Sequence, residues 1–166
     1  RELVSIGSTS WAPDGVRMVF SAINKGGDDD LYMLNTSTKE LRRLTSDYYD
    51  DRDPAWCPGG DVIAFASDRT PFGTRGAYNL FQLDLTTGRI DYLTYGPATT
   101  LSPSWSKDGK RLAIAGTDRT VRIWDTTTND ELLSFALLSD QRAVVFSPNG
   151  EWVATAGSDN NARLWD

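Results

Sequence analysis

The sequence predicts an all-β fold, a β-propeller with four blades in the chain, and three observations point there. An aromatic-plus-turn motif recurs four times: Trp11-Ala12-Pro13-Asp14-Gly15, Trp56-Cys57-Pro58-Gly59-Gly60, Trp105-Ser106-Lys107-Asp108-Gly109 and Phe146-Ser147-Pro148-Asn149-Gly150. Its glycines stand 45, 49 and 41 residues apart, the period of a four-stranded blade. The runs between motifs are short, β-rich and alternating, and none holds a helical period over a useful length.

The elements follow in a fixed order within each copy. After the turn, residues 17–23, 62–67, 111–116 and 152–157 read as second strands, rich in Val, Ile, Phe and Ala. Third strands follow at 31–35, 80–84, 121–125 and 162–166; three end in Asp and one in Asn, residues that open a turn by bonding their own backbone. Polar turns at 36–39, 86–88 and 126–130 lead to fourth strands at 41–45, 90–94 and 132–135. The fourth copy shows no such strand before Asp166. Residues 1–7 carry the apolar spacing of a fourth strand, so Leu3, Val4 and Ile6 are expected to close the last blade against Ala162, Leu164 and Trp165. The expected units are a closing strand at 1–7, blade 1 at 8–46, blade 2 at 47–95, blade 3 at 96–139, and blade 4 at 140–166 completed by 1–7.

Composition narrows the chemistry. The 166 residues hold 17 Lys plus Arg against 23 Asp plus Glu, a net charge of -6, so no basic nucleic-acid footprint is expected. No apolar run approaches the roughly 18 residues of a membrane helix, and no apolar leader opens the chain. Histidine is absent, which removes His-based triads and imidazole metal ligands. The one cysteine, Cys57, reads as a small buried hydrophobe. No Gly-x-Ser-x-Gly elbow or phosphate loop occurs. The expectation is a non-catalytic protein with no cofactor and no small-molecule ligand. The weak metal candidates are Asp47, Asp50, Asp51 and Asp53, an oxygen-rich stretch that matches no EF-hand spacing and reads first as a solvated loop. Trp11, Trp56, Trp105, Phe146, Trp124 and Trp165 fall on repeat landmarks and read as packing rather than a ligand cage. The long loop at 70–77, with Phe72 and then Tyr78, is a candidate partner-binding tip.

Two family resemblances accompany these residues. Leu44-Thr45, Asp53-Pro54-Ala55-Trp56 and Ser67-Asp68-Arg69 resemble the TolB-like propeller repeat, over residues 8–95. The stretches 116–125 and 157–166, each ending in Trp-Asp, resemble WD repeats, over residues 99–166. In the WD family the aspartates at Asp118 and Asp159 join a network with a histidine, a hydroxyl and the Trp. Without histidine that network is incomplete here. The style changes near Gly96-Pro97-Ala98, either by drift between repeat styles or because two half-propellers were joined. The even division, two blades of each style, favours joining, and a designed chimera is expected. Blades of both families suit rings of about six to eight, so the partner expected is a second copy, in a homodimer of eight blades. The alternatives are a closed four-bladed monomer and a natural propeller that binds protein or peptide. The TolB-like half implies a periplasmic parent and the WD-like half a cytoplasmic one, which leaves the compartment open.

Overall fold

The structure is a computed structural model and describes residues 3–69, 77–94 and 99–166. Residues 70–76, with Phe72, and the style junction at Gly96-Pro97-Ala98 lie outside the described residues. Among those described, the chain forms fifteen antiparallel strands in four sheets and no helix. Blade 1 is β1 (Leu3–Trp11), β2 (Arg17–Asn24), β3 (Asp29–Asn35) and β4 (Leu41–Arg43). Blade 2 is β5 (Asp51–Trp56), β6 (Val62–Ser67), β7 (Asn79–Asp84) and β8 (Ile90–Tyr92). Blade 3 is β9 (Thr100–Trp105), β10 (Arg111–Gly116), β11 (Thr120–Asp125) and β12 (Asp130–Ala136). Blade 4 has three strands, β13 (Gln141–Phe146), β14 (Val153–Gly157) and β15 (Ala162–Trp165).

The turn chemistry explains the meander. In the recurring motif the glycine N–H donates to the carbonyl three residues back, as Gly60 does to Cys57 at 2.9 Å, and its φ of 90° is one a side chain rarely tolerates. At the end of the third strands, Asn35, Asp84 and Asp125 each accept two backbone N–H groups with one side-chain oxygen. The Thr87 N–H bond leads in holding the Asp84 carboxyl below the usual range, and at Asp125 the Thr127 hydroxyl, which also donates to that carboxylate, leads.

Successive side chains alternate between faces, so each blade has a face toward its predecessor and one toward its successor. Val19, Leu31 and Met33 of blade 1 meet Trp56, Ile63, Phe65, Phe81 and Leu83 of blade 2. Ala64, Ala66 and Leu80 of blade 2 meet Leu112, Ile114, Trp105 and Trp124 of blade 3. Ala113, Ala115, Val121 and Ile123 of blade 3 meet Val144, Phe146 and Val153 of blade 4. At the latter two junctions a pair of alanines on the second strand receives bulkier groups of the next blade, which lets the sheets approach closely. No packed interface joins blade 4 to blade 1 among the described residues, so the four blades form an open arc.

The expected closing strand is corrected. Leu3 pairs with Asn24 and Ile6 with Ala22, both on β2, so Leu3, Val4 and Ile6 extend the innermost strand of blade 1 rather than finishing blade 4. The reason lies in spacing. Ile6 stands five residues before Trp11, as Asp51 stands before Trp56 and Gln141 before Phe146, and those residues open inner strands. A fourth strand lies three strand spacings, about 14 Å, from the position of the next blade's innermost strand and needs a connecting segment. Residues 44–50 and 93–99 supply one after β4 and β8, whereas nothing separates Ile6 from the inner strand. Ala162, Leu164 and Trp165 remain on an edge with no fourth strand beside it among the described residues.

Candidate functional site

The acidic stretch sits where blades 1 and 2 meet. Asp51 opens β5 fully buried, and Arg69 Nη2 donates to its Oδ1 at 2.9 Å and Oδ2 at 2.7 Å. The same guanidinium lies 3.0 Å from Asp47 and 5.5 Å over both the Phe65 and Phe81 rings, while its Nε donates to Ser67 Oγ. Burial pushes the Asp51 carboxyl up to about 6 against the opposing pull of Arg69. Blade 1 carries a related clamp: Asp30, also fully buried, is bonded by Arg43 and faces the Thr45 hydroxyl, and burial raises it too.

The other two candidates go elsewhere. Asp50 accepts from the Tyr78 hydroxyl at 3.3 Å and lies 3.6 Å from Arg52, whose guanidinium rests 4.3 Å over the Tyr78 ring. Asp53, at φ 50°, accepts from Ser8 Oγ at 2.9 Å. Asp47 and Asp51 thus share Arg69 while Asp50 and Asp53 go to other partners, and among the described residues no three acidic, Cys or His groups converge as a metal site. Nearby, Asp28, Tyr48, Tyr49, Asp50, Asp68 and Tyr78 line a cleft of about 420 Å³. Burial lifts the Tyr78 hydroxyl to about 12, so it stays protonated and donates. Aromatic faces beside carboxylates are the chemistry that receives a cationic group.

The aspartates of blades 3 and 4 use a different clamp. Asp118 is bonded by Thr120 and Arg122, which hold it below the usual range despite partial burial. Asp159, bonded by Arg163, lies well below that range. In each case the partner is the arginine four residues on. Trp165 Nε1 donates to Thr155 Oγ1 at 3.1 Å, while Trp124 Nε1 is buried without a partner.

The landmark aromatics share one orientation, each facing the preceding blade. Trp56 and Phe146 are buried there, and Trp105 donates Nε1–H to Ala55 of blade 2 at 3.0 Å. Trp11, which no other blade covers among the described residues, is 55% exposed. In blades 1 and 3 the residue two after the motif glycine reaches forward: Arg17 lies 5.1 Å over Trp56 and Arg111 lies 5.4 Å over Phe146. Trp152 holds that position in blade 4 and is 39% exposed. The forward face of blade 4 presents Val145, Ala154, Ala156, Ala162 and Leu164, and Val145 and Leu164 are more than half exposed. On the rear side of blade 1, Phe20 and Tyr32 are already buried within the chain, with Leu3, Met18 and Leu34 packed against them. Sequence reading named the landmarks but missed these two end surfaces; counting two residues on from each turn glycine would have singled out Trp152.

Comparison with known proteins places this architecture. Over 117 residues the chain is 29% identical to the uncharacterized peptidase YuxL of Bacillus subtilis (strain 168), covering 68% of this chain and 17% of that protein. The crystal structure of TolB from Acinetobacter baumannii superposes with a TM-score of 0.73 at 25% identity, over 98% of this chain and 42% of that one. The chain therefore spans less than half of either relative. A profile of the TolB beta propeller domain matches residues 4–164, running through the part that resembles WD repeats. By that match over nearly its whole length, the chain belongs to the TolB beta propeller domain family.

Proposed function

We propose that the chain is a non-catalytic assembly unit, half of a ring that two copies complete head to tail as an eight-bladed homodimer. The observation that carries this is the exposed forward face of blade 4 together with the exposed Trp11 of blade 1. The forward face of blade 4 repeats the alanine-pair surface that blades 2 and 3 offer their successors, with Ala154 and Ala156 standing where Ala64 and Ala66 or Ala113 and Ala115 stand. On blade 1 the exposed counterpart is Trp11, since Phe20 and Tyr32 are already buried within the chain. Seating one on the other buries Trp11 against Trp152 in the place of the Arg17–Trp56 and Arg111–Phe146 contacts. The contact is heterologous, and it closes only if four blades turn through half a circle. The two Asp–Arg clamps, buried in blades 1 and 2 and four residues apart in blades 3 and 4, support an origin by joining two half-propellers of different style. Absolute mass by size exclusion with light scattering tests the assembly: the expected value is twice 18.4 kDa, and 18.4 kDa at every concentration would overturn it.

A second reading is favoured by the tyrosine and aspartate cleft: a propeller module that binds basic peptide. Titration with a lysine-rich peptide, compared with the Asp50→Asn variant, tests it. Affinity unchanged by that substitution would remove the cleft from consideration.

A further inference from the structure

We propose that the gap between the inner turns of blades 3 and 4 is a carboxylate-binding site, in which Arg111 donates to the carboxylate and Lys107 neutralises it. The gap lies between two blades of the same chain, so neither ring closure nor the tyrosine and aspartate cleft enters into it. At the first two junctions the corresponding turns touch. The proline two before one motif glycine leans on the motif glycine of the next blade: a Cβ on Gly60 would lie 3.6 Å from Pro13 Cγ, and one on Gly109 would lie 4.0 Å from Pro58 Cδ and 3.1 Å from Cys57 Sγ. Lys107 stands in place of that proline in blade 3, and among the described residues nothing lies within 4 Å of the same position on Gly150. The turns part there around a cleft of about 380 Å³, lined by Ser106, Lys107, Asp108, Arg111, Asn149 and Gly150.

Blade 1 indicates what such a cleft receives. Arg17, two after its motif glycine, donates from Nε to Asp14 Oδ2 at 2.6 Å, and its backbone N–H donates to Asp14 Oδ1 at 2.9 Å. In blade 3 the equivalent aspartate is diverted. Ser106 Oγ donates to Asp108 Oδ1 at 2.6 Å and itself accepts the Arg111 N–H at 2.9 Å, whereas blade 1 has Ala12 at that position and no hydroxyl to compete. The Ser106 bond leads in holding the Asp108 carboxyl below the usual range. Arg111 keeps its place over the Phe146 ring and donates from Nη2 to Gly150 O at 3.4 Å, with no carboxylate in ion-pair range among the described residues. Glu151 is held by Asn149 Nδ2 at 2.7 Å. The guanidinium at this junction therefore retains donors that Arg17 spends on a carboxylate, and its planar fork matches that group. Asp108 remains close by, so repulsion disfavours a phosphate dianion and selects the singly charged carboxylate.

The test titrates the intact chain with N-acetylglycine and with its primary amide, following the Lys107 and Gly150 amides and the Arg111 Nε–H by NMR. Saturable shifts are expected from the acid and none from the amide. Ser106→Ala installs the blade 1 residue and frees Asp108 to take Arg111 as Asp14 takes Arg17, so it should weaken binding about tenfold or more. Lys107→Pro installs the residue of the other blades at a turn position that favours proline; it should abolish saturation while leaving the urea midpoint equal or higher. Acetate and inorganic phosphate are titrated separately. A stronger response to N-acetylglycine than to acetate would assign a peptide C-terminus and an equal one a free small acid, and either upholds the site. Phosphate binding as tight as the acid, equal responses to acid and amide, unchanged affinity in Ser106→Ala, or no saturation up to about 100 mM would each overturn it.

Discussion

Replacing Trp11 by alanine removes a landmark aromatic that no other blade covers among the described residues. A whole tryptophan offers about 250 Å². At 55% exposure roughly 140 Å² remains to be buried by a second copy. At about 25 cal/mol per Å² that is about 3 kcal/mol, and truncation of a central interface aromatic commonly costs 2 kcal/mol or more. The dimer should therefore weaken by roughly 30- to 150-fold, read by sedimentation equilibrium across concentration. Trp152→Ala should act in the same direction, and the double variant should lose less than the sum of the two because the rings share a contact. Tyr48→Ser, at a residue 96% exposed and away from both end faces, is the control that leaves the dimer unchanged. If Trp11→Ala and Trp152→Ala each dimerise like the parent, or their effects simply add, the proposed junction is wrong.

Other outcomes follow from the interior. Asp51 ionises at about 6 when folded and near the ordinary 3.9 when unfolded, so the folded state retains a proton that the unfolded state releases. Stability should rise as pH falls from about 7 toward about 4, by up to roughly 3 kcal/mol from this group, and Asp51→Asn should remove that share of the slope in urea midpoints. Arg69→Ala strands a fully buried carboxylate and should cost about 3–5 kcal/mol at neutral pH, with Asp51→Asn in the same chain restoring much of it. Phe65→Ala, at a fully buried ring between blades 1 and 2, should cost about 3–5 kcal/mol in thermal or urea unfolding. Leu164→Gln, on the open forward face, should leave single-chain unfolding within about 0.5 kcal/mol while abolishing the dimer.

The repeat register was legible because turn chemistry is local: a positive-φ glycine and an Asx cap announce themselves at fixed offsets from the aromatic. β5, β10, β11 and the turns joining them fall where that pattern puts them. The N-terminal strand was not legible, because apolar spacing in 3–7 fits an outer or an inner strand equally. Only the distance to Trp11 decides, through the length of chain needed to cross a blade. The acidic stretch misled for a related reason. Density of carboxylates along the chain says nothing of where they point: Asp51 turns inward to Arg69 and Asp50 reaches Tyr78, while the register shift between Arg52 and Ala55, with Asp53 at φ 50°, takes Asp53 out of alternation to Ser8. The Asp30–Arg43 clamp, spanning two strands, had no sequence signature.

The end faces also set what closure demands. An apolar face with its complement at the far end of the same chain adds copies indefinitely unless the turn per chain divides a circle. Two copies close when each blade turns by about 45°. Blade contacts set that angle, and they differ between the two halves: large rings of blade 2 oppose Val19, Leu31 and Met33 at the first junction, whereas alanine pairs receive the next blade at the second and third. Enlarging the second junction should change the angle without touching either end. Ala66→Leu is therefore expected to shift the mass distribution from dimer toward larger or open species at unchanged end-face chemistry, as read by light scattering. A sharp dimer peak in that variant would mean that the end faces, rather than the internal angles, dictate the number of copies.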